Sequence, residues 1–498
     1  MNVNPITRLD YPDPDVIRVE DTYYMVSTTM HFMPGCEILQ SFDLVHWEHA
    51  TYVYETLDHT DAQQLKSGQN IYGQGMWAAS LRYHEGRFYI CFVANDTRKT
   101  YLYTSEKIDG PWKKQLIEGF YHDGSLLFDE DGRNYIVYGN DEIWITELNE
   151  DLTAPKKDGL HRLLVSDHKN PELGYEGSHI QKINGYYYIF LIHSLRDRWM
   201  RTEACFYSDS LEGEFTGGDV LCDDRGYCGQ GVAQGGIVDT PDGKWYAMLF
   251  QDSGAVGRIP ILVPVTWKDH FPVFGQNGHV PEEIEVHSTR PGYIYQPLVG
   301  SDDFCNGLLP RWQFNHDPDP RYYHLDALQG TYTITTREVC TELTQAVNTL
   351  TQRMSYPSCA AEVTVDASAL KEGDVAGLCA LQSCYAAVGI TKHHGKYEVL
   401  MLDKKEDGIL DMTEGTVVES HQMDFRLEAD FCNMKDEARC YYRVNKGDWL
   451  PIGTVHKLYF KLDHFTGCRF GLFCYAAEET GGSACFRDFK YYDVDEIS

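Results

Sequence analysis

Three acidic residues in this 498-residue chain could carry chemistry: Asp13 in Tyr11-Pro12-Asp13-Pro14, Asp123 in His122-Asp123-Gly124-Ser125, and Glu176 in Glu176-Gly177-Ser178-His179. Two carboxylates in one site suffice for acid–base work, one releasing a proton and the other activating a nucleophile. Their spacing makes them a set. Asp13 stands eleven residues before Tyr24, Asp123 twelve before Tyr135, and Glu176 twelve before Tyr188. Trp77 and Gln234 hold the same place before Tyr89 and Tyr246.

The elements that must position these residues are copies of one unit. An acidic or amide residue, usually glycine, and a short aromatic-rich step into an apolar run recur five times, as in Glu85-Gly86-Arg87-Phe88-Tyr89-Ile90 and Asn184-Gly185-Tyr186-Tyr187-Tyr188-Ile189. The aligned tyrosines are 65, 46, 53 and 58 residues apart, room for a four-stranded sheet each time. A turn-then-strand unit at that period predicts a five-bladed β-propeller. The first strand of each blade lines the central channel, so the five equivalent positions converge on one pocket there.

Prolines 12 and 14 hold Asp13 on a stiff backbone. Phe32, in the loop Ser27 to Gly35, is a ring for the pocket, and Trp77 is a floor for a bound ring. His179 is read as a hydrogen-bonded structural histidine, because carboxylates already fill the acid and base roles. The glycines from Gly229 to Gly236 are followed by no Lys-Ser/Thr and no helix signal, so they are not a phosphate loop. Arg258 lies in an apolar setting before Ile261-Leu262-Val263, where a guanidinium needs a channel carboxylate or ligand hydroxyls as partners.

Aromatic residues at 13%, with 34 tyrosines, suit an all-β protein with stacking surfaces. A net charge of −32 argues against nucleic-acid or anionic-membrane partners and leaves a neutral ligand easier to accommodate. No apolar stretch reaches about 20 residues and no signal-peptide pattern opens the chain. The 15 cysteines are scattered without a Cys-x-x-Cys pair, which points to reduced thiols in a cytoplasm and away from disulfides or zinc. The repeat fades near residues 288–300, so the propeller is assigned to 1–298 and a second domain to 299–498. Alternating stretches at Ala386 to Thr391 and Lys396 to Leu402 about His393-His394-Gly395 read as a hairpin, with further strands at Phe470 to Tyr475 and Phe486 to Val494. A β-sandwich is the expected architecture.

The chain resembles glycoside hydrolase family 43, five-bladed enzymes that include β-xylosidases and α-L-arabinofuranosidases, over nearly its whole length. Tyr11-Pro12-Asp13-Pro14 is similar to the family's general-base segment, Asp123-Gly124-Ser125-Leu126 to that of the carboxylate tuning the acid, and Glu176-Gly177-Ser178-His179 to the general-acid segment. Gly257-Arg258 resembles the arginine of the sugar subsite. Ser301-Asp302-Asp303-Phe304, Phe314-Asn315-His316-Asp317-Pro318 and Asn348-Thr349-Leu350-Thr351-Gln352-Arg353 resemble the concanavalin-like C-terminal sandwich of xylosidase-like members. The resemblance implies an inverting glycosidase in which Glu176 protonates the leaving oxygen, Asp13 activates water, and Asp123 keeps Glu176 protonated by like-charge repulsion. Phe32, Trp77, Gln234 and Arg258 would bind substrate. A small pocket closed by Trp77 and Phe32 would favour exo-acting release of terminal pentoses from short oligosaccharides, by an α-L-arabinofuranosidase with β-D-xylosidase activity. The alternatives are mainly a β-xylosidase, or a non-catalytic sugar-binding propeller. No cofactor is required. Relatives often hold a hydrated calcium on the axis with help from a channel histidine, and Ala233 stands where similar members have that histidine.

Overall fold

The computed structural model describes residues 2–413 and 415–493. Its first part is five antiparallel sheets, each following the repeat, with the aligned tyrosine on the second strand every time. Blade one comprises Asp15–Val19, Thr22–Ser27, Gly35–Ser41 and Glu48–Tyr54. Blade two runs from Met76–His84 to Lys113–Ile117, blade three from Ser125–Phe128 to His161–Ser166, and blade four from Glu176–Ile183 to Thr216–Leu221. In blade five the inner strand is broken into Val232–Ala233 and Ile237–Asp239, both paired with Trp245–Asp252. The ring is tied between blades five and one by Arg18, whose guanidinium meets Asp239 at 2.5 Å.

The propeller axis is held by polar groups. Arg82 on blade two donates to Asp15 Oδ2 of blade one at 2.7 Å, to Ser125 Oγ and the Leu126 carbonyl of blade three at 2.7 and 2.9 Å, and to the Ile180 carbonyl of blade four at 3.2 Å. His179 Nδ1 meets Asp15 Oδ1 at 3.1 Å, in the structural position expected for it.

The second part is a sandwich of two antiparallel sheets around one apolar core that includes Leu378, Val388, Phe425, Leu427 and Phe470. The expected hairpin is Ala386–His393 with Lys396–Lys404, turning on His394 and Gly395, both at positive φ as a two-residue hairpin turn demands. Arg469–Tyr475 and Ser483–Asp493 are the further strands; Val494 lies outside the described residues. One edge of the sandwich comes from the propeller: Phe32–Met33 pairs with Gln313–Asn315. Beside it, buried Arg353 meets Glu37 Oε2 at 2.8 Å and lies 4.0 Å from the centre of the Tyr11 ring. Burial pushes the Glu37 carboxyl up, but Arg353 and His49 outweigh it and bring it to about 2.

Candidate active site

The five repeat positions meet at one end of the channel. Asp13, Trp77, Asp123, Glu176 and Gln234 all line a cavity of about 510 Å³, together with Arg258. Each stands just before or at the start of an inner strand, where the backbone leaves regular β geometry. Asp13, Asp123 and Gln234 have φ of 52°, 48° and 64°, and the ladders are out of register after Trp77 and Glu176. Asp tolerates the left-handed region better than most residues, and strain of this kind is held in place only where surrounding contacts fix it. Gly177, at φ 64°, allows close approach, since a Cβ there would stand 2.7 Å from Gln234 Cγ.

Asp13 is buried and fully engaged. Its Oδ2 accepts from Thr28 Oγ1 at 2.6 Å and its Oδ1 from Arg258 Nη1 at 2.9 Å. Asp10 fixes Arg258 from behind by accepting its backbone N–H at 2.7 Å. The guanidinium lies 4.4 Å from the centre of the Phe465 ring and 5.4 Å from that of Phe250. Its Nε and Nη2 are buried and have no hydrogen-bond partner among the described residues, and the same holds for Trp77 Nε1. Buried donors without partners are costly unless a ligand answers them.

Asp123 Oδ2 accepts the Gly177 N–H at 2.9 Å. Burial pushes its carboxyl up to about 6; His122 opposes this, and the charges of Glu176 and Asp13 add to it. Glu176 Oε2 accepts from Asn140 Nδ2 at 2.7 Å and lies 3.4 Å from His122 Nε2. The Asp123 charge, against burial and with help from Glu176, lifts the His122 imidazole to about 9. Gln234 is held through its backbone N–H, which donates to Glu203 Oε2 at 2.7 Å; burial pushes that carboxyl well above the usual carboxylate range, against the Gln234 bond.

Phe32 is not among the cavity-lining residues. It is 2% exposed and packs with the sandwich residues Leu381 and Phe473, its ring centre 3.5 Å from the Arg469 guanidinium, because its segment joins the sandwich sheet. The wall is supplied instead by the sandwich, through Met434, Phe460, Leu462 and Phe465. Their segment docks through Asp10, which accepts the Gly467 N–H at 2.7 Å, and through the Cys468 N–H to the Ala255 carbonyl at 2.8 Å. Sequence reading missed these residues and also His122, Asn140 and Trp199. The one available signal was the aromatic run Tyr459-Phe460-Lys461-Leu462-Asp463-His464-Phe465. At the mouth, Trp199 and Leu462 are 45% and 75% exposed.

Two places in the propeller bring together groups that bear on metal binding. His122, Asp123 and Glu176 present donor atoms within 4.8 Å of one another. Gly177 and Asn140 already donate to the two carboxylates, and the imidazole is cationic at neutral pH, so the trio is a proton-sharing cluster. The axis does not fit a calcium ion either. Arg82 already brings a positive charge to Asp15 there, His179 is engaged by Asp15, and Ala233 packs among Ile192 and Phe250.

This arrangement brings a cluster of two carboxylates and an imidazole into one cavity with the Asp13–Arg258 pair and with unanswered donors, which suits acid–base cleavage of a hydroxyl-rich ligand. Residues 3–272 match the family described as Glycosyl hydrolases family 43, and residues 301–492 match the Beta xylosidase C-terminal Concanavalin A-like domain. The chain is similar to a protein named Beta-xylosidase from Formosa agariphila, 26% identical over 99% of this chain and 89% of that one. It is also similar to a Non-reducing end alpha-L-arabinofuranosidase from Bacteroides ovatus, 24% identical over 82% of this chain and 79% of that one. A solved structure described as a bifunctional GH43-CE from Bacteroides eggerthii superposes with a TM-score of 0.92 at 42% identity; it covers 99% of this chain, which spans 64% of that protein. The chain belongs to glycosyl hydrolase family 43 and is a glycosidase.

Proposed function

We propose that this enzyme is an inverting, exo-acting glycosidase that releases terminal pentoses from arabinoxylan-derived oligosaccharides, as an α-L-arabinofuranosidase with β-D-xylosidase activity. The observation that carries this reading is the form of the cavity. Asp13, Asp123, Glu176 and Arg258 share it, while Arg82 lines a separate cavity of about 310 Å³ with Val16, Ile17 and Arg18. The Asp15–Arg82–His179 network ties blades one, two and four together at the axis, and in this reading the cavity that holds the carboxylates is a pocket that takes one chain end. In this reading Trp77, Phe460 and Phe465, which line the cavity, pack about a pentose ring, and the extra hydroxymethyl of a hexose is rejected by clash.

In this reading the unpaired Nε and Nη2 of Arg258 and the indole N–H of Trp77 take sugar hydroxyls. Glu176 donates its proton to the glycosidic oxygen, the C1–O electron pair stays on that oxygen, and water attacks C1 from the other face as Asp13 removes its proton. Asp123 sets the charge felt by Glu176 and anchors Gly177, the next residue in the chain. The Formosa and Bacteroides relatives carry xylosidase and arabinofuranosidase names, which supports a pentose on either scaffold. The 15 free thiols suit a reducing, cytoplasmic setting, where short imported oligosaccharides are the substrate at hand.

Specificity constants on nitrophenyl α-L-arabinofuranoside, β-D-xyloside and β-D-glucoside test the reading. Both pentosides should exceed the glucoside, arabinofuranoside leading. Preference for the glucoside would overturn the pocket-size reasoning, and a xyloside far ahead would make the enzyme mainly a β-xylosidase.

A further inference from the structure

A general acid must present its proton from one defined oxygen, and the two oxygens of Glu176 are not equivalent. Oε2 accepts the Asn140 amide at 2.7 Å and lies 3.4 Å from His122 Nε2, whereas Oε1 has no hydrogen-bond partner among the described residues. An oxygen already accepting a good N–H bond is the poorer seat for a proton. The clamp is built across a blade boundary: Asn140 ends the strand Asn134–Asn140 of blade three, and Glu176 opens blade four. His122 is held by its carbonyl, which accepts the Gly139 N–H at 3.0 Å, and its Nε2 lies 3.5 Å from Asp123 Oδ2.

We propose that His122, together with Asn140, is a positioning residue for the general acid: the two hold Oε2 of Glu176, direct the proton to Oε1, and His122 stabilises the carboxylate left behind. The inference rests on the glycosidase reading above. In the step concerned, the Oε1–H bond breaks as an H–O bond forms to the glycosidic oxygen, which keeps the C1–O electron pair. Water bonds to C1 and passes its proton to Asp13, so the sum is addition of water. The charged groups facing His122 are Asp123, Glu176 and Asp13, all acidic. An imidazolium there therefore balances the negative charge that grows on Glu176 as its proton departs.

The test compares His122→Phe, His122→Gln and Asn140→Ala with wild type on a methyl glycoside, whose leaving group needs a proton, and on the dinitrophenyl glycoside of the same sugar, whose leaving group does not. The sugar is whichever the wild type accepts. His122→Phe should lose about 10- to 100-fold in kcat on the methyl glycoside, at least tenfold more than on the dinitrophenyl one. The alkaline limb of its kcat/KM profile should move to higher pH, because an acid that loses a neighbouring cation holds its proton longer. His122→Gln, which keeps a donor without the charge, should recover part of kcat but leave the limb displaced. If His122→Phe does not fold, His122→Gln and Asn140→Ala carry the same substrate comparison. Equal losses on both substrates with an unmoved limb, or no loss, would overturn the positioning role while the enzyme remains a glycosidase. A wild type inactive on every glycoside would overturn the function itself, and this inference with it.

Discussion

Replacing Arg82 by alanine should cost the propeller more than any other single truncation on its axis. The change removes bonds to Asp15, Ser125 and two carbonyls on three other blades. It leaves Asp15, 1% exposed, with His179 and the Leu81 N–H as its remaining partners. Stripping one partner from a buried ion pair costs about 3–5 kcal/mol. At roughly 2–3 °C per kcal/mol for a domain of this size, Tm should fall by roughly 6–15 °C. Burial pushes the Asp15 carboxyl up, and Arg82 and then His179 outweigh it and hold the group ionised. That contribution is present above about pH 4 and lost on acidification below it, so the gap between variant and wild type should close toward acid. Differential scanning fluorimetry at pH 7 and at about pH 3, with EDTA and with calcium, measures all of this. Wild-type Tm and activity should ignore both additives, because the guanidinium supplies the axial charge. A variant within about 2 °C of wild type, or a wild type destabilised by EDTA and restored by calcium, would refute the reasoning.

Asp13→Asn should lower kcat by about three orders of magnitude or more on any glycoside, since Asp13 is the group that takes the proton from water in this reading; an unchanged residual rate would favour a sugar-binding propeller. Glu176→Gln should spare dinitrophenyl substrates far more than alkyl ones, as steady-state kinetics on the two will show. His31, His316 and His464 are buried together between propeller and sandwich, with His464 held at about 4, and the other two also depressed, by burial first of all. A neutral buried imidazole contributes stability that is full above about pH 6.5 and is lost as pH falls toward 4. Denaturation midpoints should drop over that window, and His464→Phe should flatten the drop; a pH-independent midpoint would show that the three imidazoles take up protons alike in the folded and unfolded chain.

The convergence of Asp13, Asp123 and Glu176 on one cavity was legible because the repeat, not any motif, pins them to equivalent places, and a propeller forces equivalent places together. Trp77, Gln234 and Arg258 follow from the same periodicity and from the burial that an apolar neighbourhood imposes on a guanidinium. Phe32 was misplaced because its pairing with Gln313–Asn315 joins residues about 280 apart, which no local pattern records. The aromatic wall from Phe460 and Phe465 escaped for the same reason: its docking rests on an Asp10–Gly467 bond across 457 residues. His122 was hidden by backbone geometry. In a regular strand, neighbours point to opposite faces, so a residue beside Asp123 should have pointed away from the channel. The left-handed turn at Asp123, φ 48°, breaks that alternation, and His122 lines the cavity too.

Proton NMR of the sugar first released from a pentoside tests the Asp13–Glu176 assignment most directly. Inversion at the anomeric carbon, seen before mutarotation, is the result expected when Asp13 activates water. A first-formed product that keeps the substrate's anomeric configuration would mean that a carboxylate attacks the sugar, and would contradict the roles given to both residues.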